Sequence, residues 1–543
     1  MSRAEKRLKD PIYGYISIPI EYINEIIDTA IFQRLRRIIQ TSYSPLYSSA
    51  VHNRFVHSLG VYHLGRLASN QIRHENAEKC FADSEDFDRM CAVFELACLL
   101  HDVGHAPFSH TGEAFYLDDK EECGYIHSQL IKYVDDNSFE VPSNKSQAAA
   151  PHEIMSAIVG LKEFAKNFKD GGERSFFARC ITGYLYREKT KEKLLKNCFI
   201  SLLNSKIIDV DKLDYLIRDA FITGFDTVNI DYVRLLSSLT IQDSSDSCRI
   251  VYQKSALSVI ENVVYAHDSE RKWIQNHPVV VYETYLLHHM IRYLSEKMDT
   301  DGKKLFSAVS LSKAGQDFAN NVKIRLMDDD DIIYLTKNIY PSELGDEYFE
   351  RSLRRHPAWK SEAEYTASFL GAIGTGDILK DFESTMENIG NYLKKNSSSG
   401  IINDDLLTQI ENDLPGEDDE DLANATYGKQ LIKAQTEDKK KMLKVLRALK
   451  DYAKSKDMKF DFVILNETQF ISGFGKPDFD RIEILFPNAS ERPIKPFKQV
   501  VSSLTFTKKN RDKFFYLFYK RNNGQPTELD CDEISRILYR EFI

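Results

Sequence analysis

The segment His101-Asp102-Val103-Gly104-His105-Ala106-Pro107-Phe108-Ser109-His110 puts three histidines and an aspartate into ten residues, directly after the apolar run from Met90 to Leu100. An ordinary packed core does not accommodate such a stretch, because each buried imidazole needs a polar partner. Neutral imidazole and carboxylate are good ligands for a divalent metal that activates water. The apolar run predicts a buried helix that delivers His101 and Asp102 at its end, where Gly104 and Pro107 break the pattern. Neighbouring side chains on a helix diverge by about 100°, yet at a helix end both reach one ion that sits over the terminus. Two further ligands must then come from other helices, so the ion cross-links a bundle. His57, in His52-Asn53-Arg54-Phe55-Val56-His57, and Asp211, in Asp209-Val210-Asp211-Lys212-Leu213-Asp214, are the best candidates. The expected chemistry is metal-dependent hydrolysis.

Composition bounds the rest. With 543 residues, 42% hydrophobic and 28% charged, the chain has the make-up of a large globular protein. A net charge of −10 argues against bulk nucleic-acid binding but leaves room for a basic pocket around a polyanionic substrate. The eight cysteines form no Cys-x-x-Cys pair, which fits reduced thiols and a cytoplasmic location. No secretory signal follows Met1, and no run of about 18 apolar residues predicts a membrane span.

Three regions are expected: a helical core over residues 1–300, a helical extension with a polar, acidic insertion over 301–455, and a smaller α+β lobe over 456–543. The fold class is mainly α. Ile23, Ile26, Ile27, Ile31, Leu35 and Ile38 recur at helical spacing and predict an amphipathic helix over 21–40. Phe199 to Ile217 reads as one apolar helix and Cys248 to Gln253 as a short strand. Met327-Asp328-Asp329-Asp330-Asp331 reads as a helix start, its carboxylates near the positive end. Asn396 to Gly400 reads as a flexible turn, and the seven acids within Glu411–Asp421 as a solvated loop before a charged helix. After Lys459, Phe460–Leu465 and Arg481–Phe486 resemble strands. Arg511–Tyr519 and Glu533–Phe542 resemble closing helices.

The order of these pieces resembles the HD-domain phosphohydrolases and, within them, the deoxynucleoside triphosphate (dNTP) triphosphohydrolases related to the human SAM-and-HD-domain enzyme. The likeness begins at Asp10-Pro11-Ile12-Tyr13-Gly14. It continues through Ile27 to Ile38, His52 to Gly60, His101 to His110 and Asp211 to Asp219. Almost nothing precedes Asp10, so no sterile-alpha-motif domain is expected. The resemblance implies a multi-helix phosphohydrolase core in which His57, His101, Asp102 and Asp211 bind the metal. It places His105 and His152 in a catalytic group at the α-phosphate, with Glu113 where the family has an aspartate and His110 facing the phosphates. It gives Arg54, Lys212 and Tyr215 to the triphosphate and sugar, and Gln40 and Asp219 to the sugar hydroxyl. It implies a regulatory nucleotide site from Lys6, Asp28, Gln33, Arg36 and Arg234.

The implied reaction releases a deoxynucleoside and intact tripolyphosphate. The expected cofactor is a divalent transition metal (iron, manganese, zinc, cobalt or nickel), with magnesium on the substrate phosphates. The expected assembly is a homodimer or homotetramer controlled by nucleotides, with no membrane or nucleic-acid partner, and antiviral or phage-directed dNTP depletion is one setting for such an enzyme. Another nucleotide substrate (a monophosphate, a cyclic dinucleotide or an alarmone) and a non-catalytic nucleotide sensor are the alternatives. His52, His63, His74, His277, His288 and His289 read as packing, loop or surface residues. The segment Tyr265–His277 departs from the family where further substrate contacts would fall.

Overall fold

In a computed structural model, the structure describes residues 4–74, 84–115, 120–142, 148–206, 208–225, 229–243, 248–298, 327–371, 377–396, 400–413, 426–468, 482–487, 494–497, 513–520 and 529–542. The chain divides into two compact units, each assembled from separated stretches. One holds Met1–Arg271, Ser295–Leu335 and Ser472–Lys508, and the other holds Lys272–Leu294, Thr336–Ile471 and Lys509–Ile543. The residues read from sequence as a 456–543 lobe are therefore shared between the two.

The first unit is a helical bundle with small sheets at its margins. An antiparallel hairpin, β1 (Glu5–Asp10) and β2 (Gly14–Pro19), turns on Asp10, whose carboxylate accepts the backbone N–H groups of Ile12 and Tyr13. The bundle helices are α1 (Arg54–His74), α2 (Ser84–Leu100), α3 (Lys120–Val134), α4 (Pro151–Glu163), α5 (Gly171–Thr182), α6 (Lys191–Leu203) and α7 (Val210–Thr223). Leu96, Leu99 and Leu100 of α2 pack in one buried cluster with Leu64 of α1, Phe177 of α5 and Phe199 of α6. This burial fixes the level at which α2 ends and hence where His101 and Asp102 emerge. Gly104 lets the loop cross α4 at close range. A Cβ there would stand 2.4 Å from backbone atoms of Met155 and Ser156, whereas the glycine N–H donates to Ser156 Oγ at 3.0 Å. Leu239–Asp243 and Cys248–Gln253 pair antiparallel, and Glu483–Leu485 and Ile494–Pro496 extend that sheet.

The second unit has an aromatic core. Lys513–Tyr519 is the middle strand of a three-stranded sheet, between His356–Pro357 and Phe462–Thr468. Trp359 and Phe369 pack against Phe515 of that middle strand, and the indole N–H of Trp359 donates to Phe515 O. Helices Asp377–Asn396, Thr426–Ser455 and Cys531–Phe542 complete the unit. Arg355 is fully buried between Glu347 and Asp461.

Three local expectations are corrected. The 21–40 helix is broken into short α, π and 3-10 turns, because the Thr29 side chain accepts Phe32 N–H and caps a new start at Ala30. The Phe199–Ile217 helix is two helices, α6 and α7, and Asp209 caps the second by accepting Lys212 N–H. Arg511–Tyr519 holds a strand instead of a helix, since its Phe-Phe-Tyr-Leu-Phe-Tyr run is buried on both faces. Asp328 caps the short helix Asp329–Tyr334, as its acidic start suggests. Residues 301–326, 397–399 and 414–421 of the expected helices, turn and acidic loop lie outside the described residues. Among the described residues no helix is long and apolar enough to cross a membrane.

Candidate metal and catalytic site

Three helices bring the four expected ligands together. Measured from His57 Nε2 on α1, His101 Nε2 lies at 3.3 Å, Asp211 Oδ1 of α7 at 3.0 Å and Asp102 Oδ2 at 3.6 Å. Asp102 Oδ2 is 3.5 Å and Asp211 Oδ1 3.8 Å from His101 Nε2. The donor atoms of His57, His101 and Asp211 are grouped as ligands of one ion would be, and Asp102 Oδ2, held by Arg54 at 2.7 Å, stands beside the two imidazoles. Both imidazoles are oriented from behind. His57 Nδ1–H donates to Asp214 Oδ2 at 2.7 Å, and His101 Nδ1–H donates to Cys98 O at 2.9 Å. Each Nε2 lone pair is thereby left for an ion. His57, His101 and Asp211 form one group able to hold a metal.

Electrostatics fit the same reading. Burial opposes a charge on His57, but Asp211 and Asp214 outweigh it and carry its pKa up to about 10. Burial also opposes the charge on Asp102, yet Arg54 and His101 hold its carboxyl well below the usual range. A cage of buried anions that raises a histidine in this way is one that a cation neutralises.

The support behind His57 is a network that sequence reading did not single out. Arg218 clamps Asp214 with Nε and Nη2, both at 2.9 Å, and reaches Asp10 at 3.2 Å. The Tyr13 hydroxyl donates to Asp214 Oδ1 at 2.7 Å. Arg218 and His57 outweigh the effect of burial and hold Asp214 at about 2. Gly60, three residues beyond His57, makes room, since a Cβ there would stand 1.8 Å from Asp214 Oδ1. The signal was present as a buried acid and base at helical i, i+4 spacing, three and seven residues after Asp211.

A second group stands beside the first. Glu113 accepts His152 Nδ1–H at 2.8 Å and His110 Nδ1–H at 2.9 Å. It also accepts the His152 backbone N–H at 3.2 Å, at the start of α4. His105 stacks on His152 with centroids 4.5 Å apart. It is fully buried, and neither ring nitrogen has a partner among the described residues. Burial, reinforced by Arg54 and His152, pushes its pKa well down and keeps it neutral. Burial also opposes a charge on His152, but Glu113 raises it. The ligand atoms of His105, His110, Glu113 and His152 all lie within 4.8 Å of one another and could hold an ion.

The remaining candidates divide. Arg54 is buried, donating to Asp102 Oδ2 at 2.7 Å and Ser109 Oγ at 2.9 Å. Lys212 is tied to Asp209 and Ser205 O, both at 2.6 Å. Asp219 accepts His52 Nε2–H at 2.7 Å, so His52 contacts a candidate site residue. Gln40 lies behind His52 through a backbone bond, and its Oε1 is buried without a partner among the described residues. Tyr215 is partly buried on α7. Of the regulatory candidates, Gln33 Oε1 accepts Arg36 Nε–H at 2.8 Å, and Arg36 lies over the Phe55 ring. Lys6, Asp28 and Arg234 are exposed on separate elements.

The chain is similar to known proteins of one family. The HD domain family matches residues 54–192. The chain is 28% identical over 417 residues to the deoxynucleoside triphosphate triphosphohydrolase SAMHD1 of Gallus gallus, covering 76% of this chain and 61% of that one. It is 29% identical over 277 residues to the uncharacterized protein YwfO of Bacillus subtilis, covering 51% and 52%. The chain spans about half the length of the first curated relatives it matches. A phosphohydrolase structure from Bacteroides thetaiotaomicron shares the fold, with a TM-score of 0.53 at 20% identity, covering 95% of this chain and 100% of that one.

Proposed function

We propose, on the premise that this chain carries an HD phosphohydrolase domain, that it hydrolyses dNTPs at the α-phosphate, releasing the deoxynucleoside and tripolyphosphate. The observation that carries this reading is the pairing of a His57–His101–Asp211 donor group, with Asp102 beside it, and a separate histidine–carboxylate group. Asp102 acts electrostatically on both, through His57 and His101 in one and His105 in the other. His57, His101, Asp102 and Asp211 would hold a divalent transition metal, which would supply Lewis acidity at neutral pH.

The chain's own groups manage the proton. Water forms a new bond to the α-phosphorus and loses a proton to solvent as the bond to the 5′ oxygen breaks, so the water oxygen stays on the tripolyphosphate and the departing alkoxide must be protonated. His152, whose proton Glu113 favours, is the donor, while neutral His105 offers an unoccupied imidazole edge to the reacting phosphate. Arg54 and Lys212 offset phosphate charge. His110, whose Nδ1–H donates to Glu113, faces the phosphates, and magnesium would accompany those phosphates through its preference for oxygen ligands. Tyr215, Gln40 and Asp219 hold the sugar. Phosphorus NMR of the products tests the bond cleaved: tripolyphosphate supports α-attack, and pyrophosphate or orthophosphate contradicts it.

Regulation follows from the same resemblance, with Lys6, Asp28, Gln33, Arg36 and Arg234 taking a nucleotide effector on a homo-oligomer. Such an enzyme depletes dNTPs, a chemistry suited to cytoplasmic defence against phage. The Gallus gallus relative, named for dNTP triphosphohydrolysis, favours this substrate over a monophosphate, a cyclic dinucleotide or an alarmone.

A further inference from the structure

Between His105 and His110 the backbone makes a turn that L-residues resist. Phe108 has φ 54° and Ser109 φ 56°, both left-handed and neither a glycine. Such a turn persists only where its surroundings over-determine it.

The surroundings come from far along the chain. Phe108 N–H donates to Asp329 Oδ1 at 2.6 Å, and Ile39 N–H donates to Asp329 Oδ2 at 2.8 Å. The Ser109 hydroxyl donates in turn to Ile39 O, closing a ring of contacts. Arg34 ties the same segment to the same loop, donating to Met327 O at 2.7 Å and His105 O at 2.6 Å. Asp329 is 6% exposed, and no cation stands within ion-pair distance among the described residues. Burial pushes its pKa up to about 7, against the two amide bonds and Arg34. A buried carboxylate without a counter-ion is costly unless hydrogen bonds offset its lost hydration, and the amides of Phe108 and Ile39 supply them here.

We propose that Asp329 is a positioning residue of the active site, a latch that fixes the Phe108–Ser109 turn and the Ile39–Gln40 strip in one geometry. Through the turn it sets where His105 and His110 point, and through Ile39 it sets the neighbouring Gln40. The latch is specific in form: two carboxylate oxygens accept two amide protons from segments 69 residues apart in sequence, which an amide side chain cannot do with both of its terminal atoms. Its catalytic consequence rests on the function proposed above, whereas its hold on the two segments does not.

The test compares the full-length wild type with Asp329→Asn, reading metal content, kcat and KM on a dNTP, and deuterium exchange by mass spectrometry. The expected result is unchanged metal content, kcat lower by about tenfold or more with KM within about threefold, and faster exchange confined to residues 37–41 and 103–110. Unchanged exchange in those segments overturns the latch. Faster exchange with unchanged kcat overturns its role in positioning. A wild type inactive on every dNTP defeats the proposed function instead, and exchange alone then decides whether Asp329 holds the loop. If Asp329→Asn does not fold, Asp329→Glu, which keeps the charge but displaces both oxygens by a methylene, carries the same comparison.

Discussion

The carboxylate of Asp214 meets Nδ1 of His57 at 2.7 Å, although neither side chain is exposed and 157 residues separate them. This bond fixes the His57 tautomer, and with it the direction of the Nε2 lone pair. Asp214 is fixed in turn by Arg218 and Tyr13. Asp214→Asn therefore weakens metal binding by about 10–100-fold. Metal titration of the apoprotein checks this, and an unchanged affinity removes Asp214 from the site.

Glu113 joins His110 and His152 in one proton-handling group. Glu113→Gln keeps the shape but withdraws the charge that raises His152. Activity on the dNTP should fall by about 10²–10⁴-fold while metal content stays at the wild-type level. Loss of metal instead would assign Glu113 to the cage.

Gly104 occupies a position that no side chain fits, because the backbone of Met155 and Ser156 fills the space. Gly104→Ala should destabilise the protein by about 1–3 kcal/mol, read as a lower midpoint of thermal or urea unfolding. An unchanged midpoint would mean that the loop does not approach α4 so closely.

Asp329 also predicts a pH effect. Its pKa of about 7 in the folded protein exceeds the value of about 3.9 expected in the unfolded chain. Folding therefore favours its protonated form. That contribution is complete below about pH 4 and is lost as the pH rises through about 7, with Arg34 and Asp328 as the charged groups facing it. The stability of the wild type relative to Asp329→Asn should fall across this window. A difference that stays flat with pH contradicts the raised pKa.

The candidate site residues stood out in the sequence more clearly than the secondary structure around them. His101, Asp102, His105 and His110 lie in one short segment, so local chemistry announced them. His57 and Asp211 each sit in a short motif, His52 to Gly60 and Asp209 to Asp219, at the start of a helix. The network of Asp10, Tyr13, Asp214 and Arg218 escaped because its members join a hairpin to a helix some 200 residues later, a contact that no local pattern encodes. The Lys513–Tyr519 strand escaped for a different reason. Both of its faces are buried, which erases the alternation that marks a half-buried strand. At Thr29, the isoleucine periodicity from 23 to 38 masked a capping residue that was present in the sequence. Asp329 could be read as part of an acidic helix start, but its two amide partners, Ile39 and Phe108, could not.

The proposed reaction is α-phosphate hydrolysis of a dNTP by the cage and its neighbouring histidines. Metal-reconstituted protein, incubated with each dNTP and each ribonucleoside triphosphate singly and in pairs, tests it when the products are resolved by chromatography beside the double variant His101→Ala/Asp102→Ala. Deoxynucleoside and tripolyphosphate should come from the wild type and neither from the variant, with any activity confined to pairs exposing an effector. No turnover in any combination, or equal turnover by the variant, would contradict it.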